Sequence, residues 1–392
     1  MDAKVFAAQV REELQDNILP YWLSVLEPSG GCFPEVSASG AVDTSAPRGA
    51  ILGARVVWAF SAAYHALGRP VYLDAARRAC RYFTDHFVDP VNGGVYWSLS
   101  GSEEPLDTKK QLYSQGFAIY GLSEYYRASG DGDALQAAVS LFRTVEEHFR
   151  DRRFGGYREA LSSSFGPLED LSLSAHDINA PKTMNSHLHV LEAYANLYSV
   201  WPDEALGACV RELLDIVCGR IMGPDGHLRL YFTDDWAVIP GAVSYGHDIE
   251  TAWLSSECAR TLGDAEFLGR VERASRLMAS AGNEGLRPDG SMIYETLPDG
   301  SSDASRQWWV QAETVVGNLW AWKHWGDTGG YGRSAACWEY IRRNLSDREG
   351  GEWFWAVNPD GTPDLSSPKA GFWKCPYHNT RMCLQVMSLL GE

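Results

Sequence analysis

A glycine, or a pair of glycines, followed by a short aromatic or apolar run recurs six times along the chain. It stands as GGCF at 30–33, NGGVYW at 92–97, FGGYRE at 154–159, DGHLRLYF at 225–232, DGSMIYE at 289–295 and GGEWFW at 350–355. With Gly31, Gly94, Gly156, Gly226, Gly290 and Gly351 as anchors, the spacings are 63, 62, 70, 64 and 61 residues. A period of this size marks a repeated supersecondary unit, which limits the chain to a solenoid or a closed ring. Each interval has room for two helices of ordinary length and their connections. The helical patterns can be read directly: 48–67 and 71–87, 111–128 and 133–149, then pairs starting near 183 and 203, 247 and 264, 309 and 331. A last helix starts near 378, and an amphipathic helix opens the chain. Six helix pairs suit closure, with inner helices surrounded by outer ones. The expected fold is all-α: an (α/α)6 barrel of six helix-pair repeats, with short β-hairpins in the connecting loops. An open helical-pair solenoid is the alternative. A length of 392 residues would by itself suggest two or three domains. The repeat overrides that prior and predicts one catalytic domain over 1–392.

Charge and composition narrow the partners. The formal net charge of −17 argues against nucleic acid and anionic lipid, which need clustered cations. No uninterrupted run of 18 apolar residues exists, so no membrane span is expected, and the first 22 residues carry charges throughout rather than an apolar signal core. A cytoplasmic location and a monomer or weak homodimer are expected. The eight cysteines form no CxxC pair and mostly sit among apolar neighbours, as reduced thiols do. Fifteen tryptophans are many. Trp308 and Trp309 are adjacent and cannot both face one way on a helix, and Trp373 falls in a loop-like GFWKCPYHN.

Measured from the preceding glycine anchor, the unusual polar and aromatic residues share a phase. Arg55 lies 24 after Gly31, Tyr113 lies 19 after Gly94, and Asn185 and His189 lie 29 and 33 after Gly156. His247 and Glu250 lie 21 and 24 after Gly226, Trp308 and Glu313 lie 18 and 23 after Gly290, and Trp373 and His378 lie 22 and 27 after Gly351. All fall near the start of the inner helix of their repeat, so a ring would bring them to one end of its axis as a pocket. Asn185 and His189, four apart, share a helix face, as do His247 and Glu250, three apart. His187 is two residues from His189 and points elsewhere, which predicts a structural role. His65, His86 and His148 near helix ends read as solvated or capping. Glu192 and Glu257 read as ordinary helix-face acids.

Three imidazoles suit reversible proton transfer near neutrality. An arginine stabilises a developing oxyanion, and indoles stack on sugar CH faces. The set fits proton abstraction next to a carbonyl, as in aldose epimerisation or isomerisation. No GxGxxG, P-loop or HExxH is present, so neither cofactor nor metal is expected. A zinc site from His187, His189 and His247 has the wrong helical spacing for shared ligation.

The segments KTMNSHLHVLEAYANLY, YGHDIETAWL, RQWWVQAE and FWKCPYHN, with GARVVWAFSAAY upstream, resemble the N-acylglucosamine 2-epimerase superfamily over essentially the whole chain, and within it the cellobiose 2-epimerase branch. The resemblance implies an (α/α)6 barrel and a cofactor-free exchange of glucose and mannose at the reducing end of a β-1,4-linked disaccharide. It implies that His189 and His378 remove and return the C2 proton, and that His247, with Glu250 beside it, assists ring opening. Arg55 and Asn185, with Tyr113 nearby, would hold the O1/O2 region, and Trp308, Glu313 and Trp373 would bind the sugar rings. Within the superfamily, mannobiose, a free monosaccharide or aldose–ketose isomerisation are the alternatives. Outside it stand an (α/α)6 glycoside hydrolase, with Glu250 and Glu313 as the carboxylate pair, and a sugar-binding protein.

Overall fold

A computed structural model describes residues 1–174 and 177–391. Among these the helices are α1 (Ala3–Glu12), α2 (Leu19–Val25), α3 (Ala50–Leu67), α4 (Pro70–His86), α5 (Leu112–Ser129), α6 (Gly132–His148), α7 (Met184–Val200), α8 (Glu204–Ile216), α9 (Tyr245–Thr261), α10 (Ala265–Gly282), α11 (Trp308–Trp325), α12 (Gly330–Tyr340) and α13 (Tyr377–Leu390). The inner helices α3, α5, α7, α9, α11 and α13 touch in that cyclic order, and α13 returns to α3. The ring is closed, and the fold is an (α/α)6 barrel. A π-helical turn, Glu13–Ile18, joins α1 to α2, and together they form the outer partner of α13.

Inner and outer helices differ as their surroundings require. On α3 and α5 most residues are buried and they fall on every face, as in a helix wrapped on all sides. On α4 the buried set is a stripe: Tyr72, Ala75, Ala76, Ala79, Cys80, Tyr82 and Phe83. Helix α3 has the length and composition of a membrane span, with mean hydropathy 1.3 over 18 residues, but 72% of it is buried inside the protein. Its apolarity is explained by its place in the ring. All eight cysteines are free thiols.

The glycine anchors are turns at the entrance to each inner helix. After each one a single residue forms an antiparallel bridge to the end of the preceding outer helix: Leu26–Cys32, Val88–Val95, Arg150–Tyr157, Met222–Leu228, Leu286–Met292 and Ser346–Trp353. The carboxylate of Asp89 accepts the Val91 and Asn92 amides at 2.9 and 3.1 Å and receives Lys110 Nζ at 2.8 Å. Asp151 does the same with Arg153, Phe154 and Lys182 one repeat later. A side chain in the second turn of the inner helix then takes up the strand amide. Gln115 accepts from Val95 N at 2.8 Å, Asp248 from Leu228 N at 2.8 Å and Gln311 from Met292 N at 2.9 Å. In the third repeat the corresponding group is His187, whose Nε2 accepts from Tyr157 N at 3.0 Å and whose Nδ1 meets Thr183 O at 2.7 Å. Both ring nitrogens are therefore occupied by backbone, a structural arrangement. The glycines allow this close approach: a Cβ on Gly94 would come within 2.9 Å of Gln115 Oε1, and one on Gly156 within 2.7 Å of His187 Nε2.

Short strands link neighbouring repeats around the same end. Arg48–Gly49 pairs with Ser98–Leu99, Lys110–Gln111 with Ala160–Leu161, and Lys182–Thr183 with Tyr231–Phe232. Val243–Ser244 pairs with Glu295–Thr296, Arg306–Gln307 with Ala356–Val357, and a Val36–Ala370 bridge completes the circuit. The seam is polar and buried. Glu13 accepts from Asn17, Trp353 and Ser346 at 2.6–2.9 Å, while Glu352 accepts from Trp22, Lys374 and Asn379 at 2.5–2.7 Å.

Candidate active site

The N-terminal ends of the six inner helices, walled by these hairpins, bring together residues from every repeat. Arg55 projects from α3, Tyr113 from α5, Asn185 and His189 from α7, His247 and Glu250 from α9, Trp308 and Glu313 from α11, and His378 from α13, with Trp373 in the loop just before it. Trp373 lies 5.9 Å from Trp97 and 6.1 Å from Tyr113, ring centre to ring centre. The Trp308 ring lies 4.6 Å from that of Trp355.

Two of the histidines are each backed by a buried carboxylate. His189 Nδ1 lies 3.0 Å from Glu192 Oε2, and His378 Nδ1 lies 2.7 Å from Glu313 Oε1. A carboxylate behind Nδ1 leaves Nε2 free to exchange a proton with a ligand. Burial pulls both imidazoles below their ordinary pKa, against the opposing pull of Glu192 on His189 and with Arg55 and Arg381 adding to the effect on His378. His247 is built differently. Its Nδ1 meets Ser244 Oγ at 2.8 Å and its ring lies 4.7 Å from Trp309, and burial pushes its pKa down to about 3. It is a neutral imidazole at physiological pH.

Arg381, absent from the residues singled out by sequence, is the hub. Its Nη1 donates to Glu192 Oε1 at 2.5 Å and to the Tyr377 hydroxyl, and its Nη2 donates to Glu250 Oε1 and Glu313 Oε1 at 2.5 and 2.6 Å. Tyr377 OH donates in turn to Glu192 Oε2 at 2.5 Å. Burial would raise the Glu192 carboxyl, but Arg381 and His189 outweigh it and hold Glu192 at about 2. Glu250 and Glu313 instead are both raised, by burial and, for Glu250, by the charge of Glu313.

Four expectations change in this light. Glu192 is not an ordinary helix-face acid: it is 4% exposed and supports His189. Glu250 shares a helix face with His247 but turns its carboxylate to Arg381 instead. Glu313 has both oxygens engaged, by His378 and Arg381 on one and by Trp253 Nε1 at 2.9 Å on the other, so it positions His378 and has little left for a sugar. Glu257, read in the same way as Glu192, is also an inward-facing acid: it is hydrogen-bonded to Gln385 and raised to about 7 by burial. Trp309 belongs to the site as well, between His247 and His378, with its ring 5.7 Å from the latter. Spacing held the signal for some of these. Asn185, His189 and Glu192 run i, i+4, i+7 down one face of α7, and Arg381 is three residues from His378.

Arg55 is 3% exposed, and among the described residues no carboxylate lies within ion-pairing distance of it. Its Nη2 donates to Tyr113 OH at 2.8 Å, its Nη1 reaches Cys375 Sγ at 3.5 Å, and its Nε has no partner. The guanidinium sits 4.0 Å from the centre of the Phe117 ring and 4.6 Å from that of Tyr377. A buried cation without a counter-ion is costly unless a ligand supplies negative charge. Asn185 Oδ1 is likewise buried without a donor, beside a small cavity lined by Thr183, Tyr231 and His247. Glu250, Glu313 and His378 bring potential ligand atoms within 4.8 Å of one another. The Arg381 guanidinium already occupies both carboxylates there, so the cluster is an ion pair and repels a metal.

Histidines, an arginine without a counter-ion and indoles gathered at one end of an (α/α)6 barrel suit a carbohydrate-converting site, and comparison with known proteins gives the class. The profile of the N-acylglucosamine 2-epimerase (GlcNAc 2-epimerase) family matches residues 31–381. The chain is 48% identical to a cellobiose 2-epimerase of Bacteroides fragilis over 99% of this chain and 100% of that one. It is 36% identical to a cellobiose 2-epimerase of Ruminococcus albus over 97% and 98%. The solved cellobiose 2-epimerase of Spirochaeta thermophila superimposes with a TM-score of 0.92 at 38% identity, covering 99% of this chain and 97% of that one. The chain belongs to the N-acylglucosamine 2-epimerase family and is a carbohydrate epimerase, an isomerase-class enzyme.

Proposed function

We propose that the enzyme reversibly epimerises C2 of the reducing-end glucose of β-1,4-linked disaccharides such as cellobiose and lactose, through an enediolate. The observation that carries the reading is the pair of carboxylate-backed imidazoles, His189 and His378, converging on one guanidinium beside an arginine that lacks a counter-ion. Neutral His247, held by Ser244, passes a proton to open and close the sugar ring. One of the two backed histidines takes the C2 proton, and the other returns a proton to the opposite face. Arg55 holds the negative charge that grows on O1 and O2, Tyr113 orients Arg55, and Asn185 Oδ1 accepts from a sugar hydroxyl. Trp308 and Trp373 offer flat faces to the two rings.

Incubation with cellobiose, followed by product analysis, tests this. Glucosyl-mannose supports the reading. A keto-disaccharide would make the enzyme an aldose–ketose isomerase, released glucose a hydrolase, and unchanged sugar a binding protein. A panel adding lactose, mannobiose, N-acetylglucosamine and mannose ranks the substrates.

A further inference from the structure

Five inner helices, α3, α5, α7, α9 and α13, end around a cavity of about 470 Å³ at the opposite end of the barrel from the histidines. That volume suits a small molecule and is more than a bare ion needs. Trp58 and Tyr120 border it, stacked with ring centres 5.2 Å apart, and Ala62, Ala195 and Leu384 add aliphatic wall. Each of these helices arrives with its carbonyls foremost, and a helix C-terminus carries partial negative charge. The cations of the lining are already engaged. Arg381 is enclosed by Glu192, Glu250 and Glu313, and Arg127 reaches Glu124 at 3.5 Å. Glu257 on α9 is left over. One of its oxygens accepts from Gln385 Nε2 at 2.7 Å, and among the described residues no cation lies within ion-pairing distance of it. It mirrors Arg55 with the sign reversed, an inward-facing charge whose partner the chain does not supply. Such a carboxylate is stabilised by a ligand that brings positive charge.

We propose that this cavity is a second binding site, for a small organic cation: an ammonium group paired with Glu257, on a short aliphatic body lying along Trp58, Tyr120 and the neighbouring alanines. The site goes beyond the epimerase reading and does not depend on it. A neutral polyol would meet the hydrogen bonds and leave the charge of Glu257 unanswered. An anion would face Glu257, Glu124 and five helix C-termini. Aromatic rings at the border add to the attraction for a cation. Burial raises the empty site's Glu257 carboxyl to about 7, so the cation competes there with a proton. The other charged groups facing it keep their state over the neutral range. Glu124 and Arg127 on α5 form an ion pair, Glu192 on α7 is held at about 2, and Arg381 on α13 stays charged. Burial lifts the Cys258 thiol well above its ordinary value, and no residue of α11 lines the cavity. His65 on α3 is exposed at the rim; protonated, it opposes a cation in the same direction, and removing the Glu257 charge separates the two.

Isothermal titration of the full chain with n-butylamine, n-butanol and butyrate, equal in shape and different in charge, tests this. Butylamine is expected to bind at pH 8 about tenfold more tightly than butanol, and butyrate more weakly than either. Its affinity should rise about tenfold between pH 6 and pH 8, as Glu257 ionises. Glu257→Gln should weaken butylamine at pH 8 about tenfold and leave butanol unchanged. Ala66→Trp and Ser388→Trp, two separate fillings of the cavity from exposed positions on its lining, should each abolish butylamine binding, with circular dichroism confirming that the variants are folded. Equal binding of the amine and the alcohol, or tighter binding of butyrate, would overturn the cation site. So would butylamine binding that survives both tryptophan variants, since it would then lie elsewhere, or no butylamine binding at millimolar concentration.

Discussion

The two ends of the barrel axis are built from the same six inner helices and have opposite character. At the far end, outer helices follow inner ones through connections of two to four residues, such as 68–69 and 130–131. These turns build no wall, and the axis opens into a cavity of about 470 Å³ bordered by Trp58, Tyr120, Glu124, Arg127 and Glu257. At the near end each connection runs to more than 20 residues and folds into a hairpin. There the imidazoles, Arg55 and the carboxylates are covered. The far end has an open cavity, and the near end has the chemistry. Long connections exclude water, and that burial pulls His247 down to about 3 and raises Glu250. Glu192 and Arg381 border the far cavity while supporting the near site, so the two ends share one layer of buried charge.

The comparison can be broken most directly through the histidines. His189→Ala or His378→Ala is expected to lower kcat by ~10² to 10⁴-fold, the usual contribution of a general acid–base group. Glu257→Gln at the far end is expected to stay within about twofold of wild type, and an equal loss there would erase the distinction between the ends. Next in size, Arg55→Met should lower kcat by ~10² to 10³-fold, as loss of an oxyanion donor does. Measured with its Tm, a loss of rate without loss of fold locates the effect in the reaction. Trp373→Ala should act on binding alone, at about 0.5–1.5 kcal/mol or a roughly 2- to 10-fold rise in KM; a comparable fall in kcat would assign the indole a part in the chemistry.

The smallest effect is one of stability. Burial lifts Glu257 from the ordinary 4.5 to about 7, with Gln385 and Arg381 only partly opposing it. Below about pH 4.5 the group is protonated folded or unfolded and contributes nothing. Above that the unfolded chain releases its proton first, so this term destabilises progressively until about pH 7 and is constant beyond. Glu257→Gln should therefore raise Tm at pH 8, on the order of 1–2 °C, and leave it unchanged at pH 4.

The architecture was legible because it is written locally and repeated: glycine turns at a fixed period, inner helices apolar on every face, outer helices with one stripe. The position of the pocket followed from the shared phase. What the sequence hid is what depends on the ring being closed. Glu192 and Arg381 meet across 189 residues and two helices, and no local pattern states that a glutamate on α7 will turn to an arginine on α13 rather than to solvent. The same holds for Glu250, whose partner on its own helix was expected to be His247. Trp308 and Trp309, placed on different faces by helical geometry, both lie within 6.4 Å of the His378 ring, because a six-helix ring surrounds that histidine from more than one side.

The joint at His187 has a consequence for acid resistance. Gln115 and Gln311 hold their strands through amides that do not titrate. Burial lowers His187 from the ordinary 6.5 to about 4, so the unfolded chain takes up a proton before the native one does. Stability from this residue is intact above about pH 6.5 and drains away as the pH falls towards 4. Once protonated, Nε2 becomes a donor aimed at the Tyr157 amide, and the joint loses its acceptor. Acid should therefore weaken the joint at the third repeat, and His187→Gln should remove that residue's share of the acid sensitivity.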